Sequence, residues 1–524
     1  MACISVAIPT LVDARDEILL PTLEGPIENT AASHPWNGAM WQKVPLHLSD
    51  YDYVEEEYYV SGNAHVYDWV PGSNFELVVL DASSGKWLPY EQKGQIEPTA
   101  YTSRIMIRRP QDMQKFSGRV VVEIINMTAG YDWTAIWGAL WEQILKQGDV
   151  YVGLTSKPNV FPGMVRFDAA RYGPLSMPNP LPAAAQICGT LPGEPDYDPN
   201  LSRLTENGLA WDMFSGLGAL LKSERVGNPL GQAAKRLYLT GESQSGFYLA
   251  RYFRWFHQRA NLGNGDPVYD GYLAETGGTD TAEIEGLHQC ANELNPLPAD
   301  DLQRAIPGRG VPYFVVHSQW DFPLSKWPPY DWPASVRRPN ANTALDKFML
   351  WELAGASHGW TWQYDYSDAA REDVTAAGFE TYDFSCGVNQ PEIKLYMVEK
   401  AAYVLLHRWV TTDAAPPAAD YIATDIPEHP QDPLRDVYGN AIGGLRMPEI
   451  AVPVAAYTGA YAPDPDCRNV VLPFDADTLK TLYPAPGDYL EKFTAVTGDL
   501  VTDGFLLPAD AARLIEAAGS RRIH

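Results

Sequence analysis

The sequence predicts an α/β protein with a mostly parallel central sheet that helices cover on both faces. Strand-type and helix-type runs alternate through the middle of the chain. The strand-type runs at 119–127 and 310–317 are almost continuously apolar, as is typical of parallel strands that are buried on both faces. Together these observations predict a layered α/β core.

The individual elements follow from local residue types. Gly148 ends the first core helix, because glycine adopts the left-handed conformation that closes many helices. Gly216 and Gly218 lie in a later helical run, but no third glycine follows at phosphate-loop spacing, so no nucleotide site is expected there. In chain order we predict strand 119–127, helix 133–147, strand 150–155, helix 207–224, strand 235–241, helix 246–260, strand 310–317, strand 348–354 and helix 394–411.

The length predicts a core with substantial additions, since 524 residues are many for one hydrophobic core. We expect an N-terminal β-rich accessory region, a core, and a C-terminal extension packed on that core. Insertions that follow core strands are expected to form a lid or cap over the active-site edge of the sheet. The predicted boundaries are 1–100 for the accessory region, 101–415 for the core, 157–200, 279–309 and 361–392 for the insertions, and 416–524 for the extension.

A Gly-Glu-Ser-Gln-Ser-Gly stretch at 241–246 joins a strand-type run to a helix-type run. This layout is typical of a nucleophile elbow, a strained turn that requires small residues two positions before and two after its serine. Gly241 and Ser245 satisfy that requirement around Ser243. Were Ser245 the nucleophile, the bulky Phe247 would stand at the second small position. Ser243 is therefore the predicted nucleophile.

A serine nucleophile needs a base, and the base needs an orienting acid. Asp321 follows the apolar strand at 310–317, and His358 lies in a small-residue loop after the strand at 348–354. The order serine, acid, histidine predicts His358 as general base and Asp321 as its orienting acid.

Three other ionisable side chains stay open for roles at this site. His317 is an alternative base, although it precedes Asp321 and would reverse the order. Glu275 follows the strand after the elbow helix and is an alternative acid. Glu242, beside the nucleophile, is expected to be a supporting hydrogen-bond partner, with a role facing the pocket as the alternative.

Acyl transfer also requires backbone donors for the developing oxyanion. The backbone N–H of Gln244, directly after the predicted nucleophile, is the expected first donor. The second is expected in the small-residue loop after strand 119–127, where Met127 and Thr128 are equally good candidates.

Aromatic residues make up 12% of the chain, and several lie close in sequence to the predicted catalytic loops. Each can serve as an ordinary core residue, but together they favour a pocket for an apolar or aromatic group. The predicted pocket residues are Tyr131, Trp133, Trp320, Phe322 and Trp360.

Beyond single motifs, the chain resembles the α/β-hydrolase superfamily, and more narrowly the family of serine hydrolases called the α/β hydrolase domain family. The resemblance spans about residues 20 to 460. It implies the α/β-hydrolase fold and a Ser–Asp–His hydrolase of esters or lactones, with Ser243, Asp321 and His358 on the triad positions. The stretches that carry it are 53–62, 241–246, 351–358, 407–410 with the prolines at 416–417, and 439–448.

The predicted function is therefore hydrolysis of a small-molecule carboxylic ester or lactone through an acyl-enzyme on Ser243. Amide or peptide hydrolysis by the same triad is an alternative. A non-catalytic α/β-hydrolase fold used for binding is a further alternative, although such proteins usually lack a triad member.

The composition limits which classes of partner and cofactor are expected. A net charge of −27 disfavours nucleic acid and anionic membranes, because both require clustered Lys and Arg. Five widely spaced cysteines form no metal-binding pattern, so neither a metal nor another cofactor is expected. A disulfide between Cys188 and Cys290 is a hypothesis. Without a signal-type or membrane-spanning segment, a cytoplasmic enzyme is expected.

Overall fold

A computed structural model of the protein describes most of the chain. The described residues are 18–36, 47–70, 76–185, 202–279, 286–289, 305–321, 337–358, 367–381, 393–424, 433–458 and 471–523. The strands are β1 (Thr22–Glu24), β2 (Tyr53–Ala64), β3 (Tyr67–Trp69), β4 (Leu77–Asp81), β5 (Lys86–Pro89), β6 (Thr99–Pro110), β7 (Arg119–Ile124), β8 (Val150–Leu154), β9 (Arg236–Glu242), β10 (Gly271–Glu275), β11 (Pro312–Ser318), β12 (Ala341–Asn342), β13 (Lys347–Leu353), β14 (Ala455–Tyr457) and β15 (Val471–Pro473).

The helices match the predicted ones closely within the core. The elbow helix α5 continues through a π-helical turn at Tyr252–Phe256. The α-helices are α1 (Ala135–Gln147), α2 (Phe161–Phe167), α3 (Ala169–Tyr172), α4 (Ala210–Leu221), α5 (Gln244–Arg251), α6 (Asp368–Ala376), α7 (Leu395–Thr412), α8 (Pro448–Ala451), α9 (Ala476–Leu482), α10 (Asp488–Asp503) and α11 (Pro508–Gly519).

A ten-stranded sheet forms the centre of the described part of the protein, in the order β1-β2-β6-β8-β7-β9-β10-β11-β13-β12. The strands from β8 to β13 are parallel, and the outer pairings are antiparallel. The chain reverses its direction across the sheet at β7, because β8 lies on one side of β7 and β9 on the other. Ligand sites of open α/β sheets form beyond the carboxyl ends of the strands at such a point.

Side chains of the parallel strands alternate between two hydrophobic cores. Val120 and Val122 of β7 belong to the core that contains α4 and α5, whereas Val121 belongs to the core that contains α1 and α7. The same alternation continues along β11, where Val315 and Val316 face opposite cores. A sheet buried on both faces explains the continuous apolar runs of its strands. The predicted α/β class is confirmed.

Strands from the first 110 residues extend this sheet. The twelve-residue strands β2 and β6 pair antiparallel along their whole length, and β6 also pairs with β8. Between them, β3, β4 and β5 form a separate three-stranded sheet.

The segment after α7 packs against the other end of the sheet. Leu445 forms a parallel bridge with Leu353, so residues around 445 continue the sheet beside β13. The indole of Trp351 on β13 donates a hydrogen bond to the carbonyl of Pro417 and contacts the ring of Phe505. The sixteen-residue helix α10 in this segment was not predicted from the sequence.

Candidate active site

A sharp turn joins β9 to α5 and places Ser243 at its tip. Ser243 has φ 52° and ψ −120°, a backbone conformation that costs non-glycine residues free energy. A Cβ on Gly241 would lie 2.4 Å from the carbonyl oxygen of Ser245, and a Cβ on Gly277 would lie 2.4 Å from that of Ser243. The turn therefore requires glycine at position 241, and the loop that packs against it requires glycine at position 277.

The structure brings Ser243, His358 and Asp321 together. The Ser243 Oγ lies 2.8 Å from Nε2 of His358. On the other side of the ring, Nδ1 of His358 lies 2.5 Å from Oδ1 of Asp321. A hydroxyl, an imidazole and a carboxylate in this order can move a proton from the serine to Nε2 while the acid orients the ring.

Asp321 is fully buried at the end of β11 and is held in place by its own turn. Its Oδ2 accepts a hydrogen bond of 2.5 Å from the Ser318 hydroxyl. Burial alone would raise the pKa of Asp321, but the His358 imidazolium and the hydrogen bonds to the carboxylate hold this pKa below its ordinary value. Asp321 is therefore ionised at neutral pH.

The side chains that the sequence offered as alternatives for the nucleophile, base and acid occupy other positions. Ser245 is fully buried, and its hydroxyl donates to the Ile125 carbonyl. His317 is buried on β11, close enough to Asp321 for its imidazole to favour the ionised carboxylate. Burial and the neighbouring carboxyl group of Glu399 raise the pKa of Glu275 well above its ordinary value. The Ser243 hydroxyl pairs with Nε2 of His358, which accepts its hydrogen bond because Nδ1 faces the Asp321 carboxylate.

The loops that carry Asp321 and His358 are joined through Gln319. Its side-chain oxygen accepts a hydrogen bond of 2.7 Å from the backbone N–H of Gly355, and its amide donates one of 2.7 Å to the carbonyl of Thr458. The Trp320 N–H also donates to the Ala356 carbonyl. No sequence pattern indicated this role, because Gln319 and Thr458 are 139 positions apart.

The loop after β7 approaches the elbow. Asn126 and Trp133 exchange two backbone hydrogen bonds that close this loop. The Thr128 N–H donates to the side-chain oxygen of Asn126, and the Thr128 hydroxyl lies 3.4 Å from the side-chain oxygen of Gln244. Among the described residues, the backbone N–H of Met127 has no hydrogen-bond acceptor. The three predicted oxyanion-hole residues thus lie in two adjoining loops.

The predicted pocket aromatics separate into two groups. Trp320 is the described aromatic that lies beside the base, with its ring 5.0 Å from that of His358. Tyr131 packs against Trp36 and Phe379, and Trp133 lies in the core that contains α1. Phe322, Trp360, Cys188 and Cys290 lie outside the described residues, as does much of each predicted insertion.

A parallel α/β sheet with a serine at a strand-to-helix elbow and a histidine within hydrogen-bond reach defines the α/β-hydrolase class of proteins. The profile described as an alpha/beta hydrolase domain matches residues 23–516, which is most of the chain. The protein therefore belongs to the alpha/beta hydrolase domain family, and the resemblance seen in the sequence is confirmed.

Solved structures with similarity to this chain include three esterases. Esterase Est22 is 11% identical with a TM-score of 0.24, and the match covers 51% of this chain and 64% of that one. EstE1, a carboxylesterase cloned from a metagenomic library, is 12% identical with a TM-score of 0.26, covering 53% and 83%. A hyperthermophilic esterase from the archaeon Pyrobaculum calidifontis is 11% identical with a TM-score of 0.26, covering 54% and 80%. The chain thus spans less than two thirds of Est22. No curated protein matched significantly.

Across the described ranges, none of the helices has both the length and the apolar character needed to cross a bilayer.

Proposed function

We propose that the protein is a serine hydrolase that cleaves carboxylic esters, including lactones, through an acyl-enzyme on Ser243. The observation that carries this proposal is the continuous hydrogen-bonded path from Ser243 Oγ through His358 to Asp321, with distances of 2.8 Å and 2.5 Å. Because the serine sits on a strained turn at the switch point of the sheet, its hydroxyl is exposed to a substrate that binds beyond the strand ends.

The reaction proceeds in two halves. As Ser243 Oγ attacks the ester carbonyl carbon, its proton passes to Nε2 of His358, and Asp321 stabilises the resulting imidazolium. The tetrahedral intermediate then expels the alcohol, which takes the proton from Nε2. Water attacks the acyl-enzyme by the same route, and the acid leaves with Ser243 restored.

The oxyanion is assigned to the backbone N–H groups of Gln244 and Met127. Gln244 begins α5, where the helix dipole favours negative charge. Met127 is favoured over Thr128 because the Thr128 N–H already donates to Asn126 at 2.8 Å. A donor that is committed within its own loop would have to break that bond to reach the substrate.

The pocket favours an apolar or aromatic substrate group. Trp320 is 5% exposed and covers one side of the His358 ring. An apolar wall beside the base excludes water and suits a hydrocarbon or aryl portion more than a charged one.

Intact-mass analysis after fluorophosphonate treatment tests the nucleophile. Wild-type protein and Ser245→Ala should each gain one adduct, whereas Ser243→Ala should gain none. Ser245 is the matched control because its buried hydroxyl contacts only the Ile125 carbonyl within the described part of the chain. A folded wild-type protein that acquires no adduct would contradict the proposal.

A substrate panel then tests the ester class. p-Nitrophenyl esters and aromatic lactones should be turned over, and a matched amide should be cleaved far more slowly. Equal rates for an amide and its ester would favour an amidase instead.

A further inference from the structure

The carboxyl group of Glu242 lies close to the imidazole of His358, and Glu242 directly precedes the proposed nucleophile Ser243. Its Oε1 is 4.0 Å from Nε2 of His358, the nitrogen that receives the Ser243 proton. Glu242 itself is 3% exposed, so water screens this pair poorly. Asp321 therefore faces one nitrogen of the ring, and a second carboxyl group faces the other.

Two hydrogen bonds hold Glu242 in this position. The side-chain amide of Asn126 donates to Oε2 at 2.6 Å, and the hydroxyl of Thr276 donates to Oε1 at 3.3 Å. Asn126 also accepts the N–H of Thr128. The same glutamate thus contacts the loop assigned to the oxyanion and adjoins the nucleophile in sequence.

We propose that Glu242 is a positioning residue of the acyl-transfer step, which ties the oxyanion loop to the elbow and stabilises the proton on His358 Nε2. This inference rests on the proposed function and adds a second acidic participant to it. The imidazole is neutral before attack and positive in the transition state. Once Glu242 is ionised, above its pKa of about 7, its carboxylate beside Nε2 therefore stabilises the transition state more than the ground state.

The charged and titratable groups around Glu242 come from four elements or their adjoining loops. Those that face it are His358 and Asp321 from the two catalytic loops, Glu275 from β10 and Glu399 from α7. Burial raises the pKa of Glu242 to about 7, while the His358 imidazolium and the Asn126 amide oppose the rise. Burial also raises the pKa values of Glu275 and Glu399 well above their ordinary value and so favours their neutral forms.

Replacement by glutamine tests the charge with little change in shape. Glu242→Gln is expected to slow acylation, measured as the rate of fluorophosphonate labelling and of the p-nitrophenyl ester burst, by about 10-fold or more. KM should change little. The rise of kcat/KM along the acid limb should be smaller than in the wild type, because the wild type gains the Glu242 carboxylate as pH rises through about 7 and the glutamine variant does not.

Glu399→Gln is the matched control, since it alters an equally buried glutamate on α7 whose neighbour is Glu275. Its acylation rate and acid limb should stay close to those of the wild type. Glu242→Asp keeps the charge but withdraws it by one methylene. It should therefore slow acylation several-fold and change the acid limb less than Glu242→Gln does.

Each outcome decides the proposal. A folded Glu242→Gln variant with the wild-type rate and acid limb would overturn it. Should that variant not fold by circular dichroism, wild-type behaviour of Glu242→Asp would do the same. Wild-type protein that is never labelled would remove the proposed function and this inference together, whereas normal labelling of the wild type and of Glu242→Gln would remove only the inference.

Discussion

The side-chain oxygen of Gln319 accepts a hydrogen bond from the backbone N–H of Gly355, three residues before His358. Gly355 has φ 74°, and a Cβ there would lie 2.4 Å from the side chain of Ile450 on α8. The loop that carries His358 is thus held between the loop that carries Asp321 on one side and the C-terminal segment on the other. The geometry at His358 depends on residues far from it in sequence.

Gln319→Leu should lower both activity and stability. The substitution removes the hydrogen bonds to Gly355 and Thr458 within a buried site, which we expect to cost about 1–3 kcal/mol of unfolding free energy. Because the His358 loop loses its tether, kcat should fall more than KM changes. Ester kinetics and urea unfolding measure the two effects, and an unchanged kcat in a destabilised variant would show that the tether is only structural.

Asp321→Asn should leave the fold intact and reduce kcat by about 10³–10⁴-fold. The neutral amide can no longer stabilise the imidazolium, and its N–H group can donate to Nδ1 and so favour the wrong tautomer of His358. Steady-state ester hydrolysis measures the loss, with circular dichroism as the check on folding. If near-normal turnover remained, the orienting role would have to pass to another acid, and Glu275 is the sequence-derived alternative.

Gly277→Ala should damage the elbow although Gly277 lies on a different loop from the nucleophile. The new methyl group would meet the Ser243 carbonyl oxygen at 2.4 Å, and overpacking of this kind costs about 1–3 kcal/mol. Labelling by the fluorophosphonate should slow because the serine shifts.

Gly227→Ala is the control for that change. A Cβ at Gly227 would have no atom within 4 Å, so stability should stay within about 0.5 kcal/mol of wild type. Equal labelling rates in the two alanine variants would argue against strain at the elbow.

The buried carboxyl groups of Glu275 and Glu399 should make stability fall as pH rises. Burial raises both pKa values well above the ordinary value, so the folded protein binds these protons more tightly than the unfolded chain. The stabilisation is complete below the unfolded pKa of about 4.3 and is lost as pH rises through the folded values. Glu399→Gln should therefore flatten the decline of Tm between pH 5 and pH 8. Parallel Tm curves for wild type and variant would contradict this expectation.

The features that the sequence alone predicted depend on constraints between residues that are close together in the chain. The elbow was recognisable because its constraint is local: small residues must flank Ser243 within two positions, and a strand must lead directly into a helix. The sheet class was likewise predictable, because strands buried on both faces need continuous apolar runs such as 119–127. Asp321 and His358 were proposed from their order along the chain.

Only the tertiary structure brought Glu242 next to His358 and Asn126. It also showed that Gln319 joins the His358 loop to Thr458. The two contacts of Glu242 and the contact between Gln319 and Thr458 join residues 116 to 139 positions apart, and no periodicity or spacing records which side chains meet at such separations. The choice between Met127 and Thr128 was also beyond the sequence, because it depends on whether a backbone N–H is already bonded. Local sequence patterns predict the candidate catalytic residues, whereas the residues that hold them in place are decided by tertiary packing.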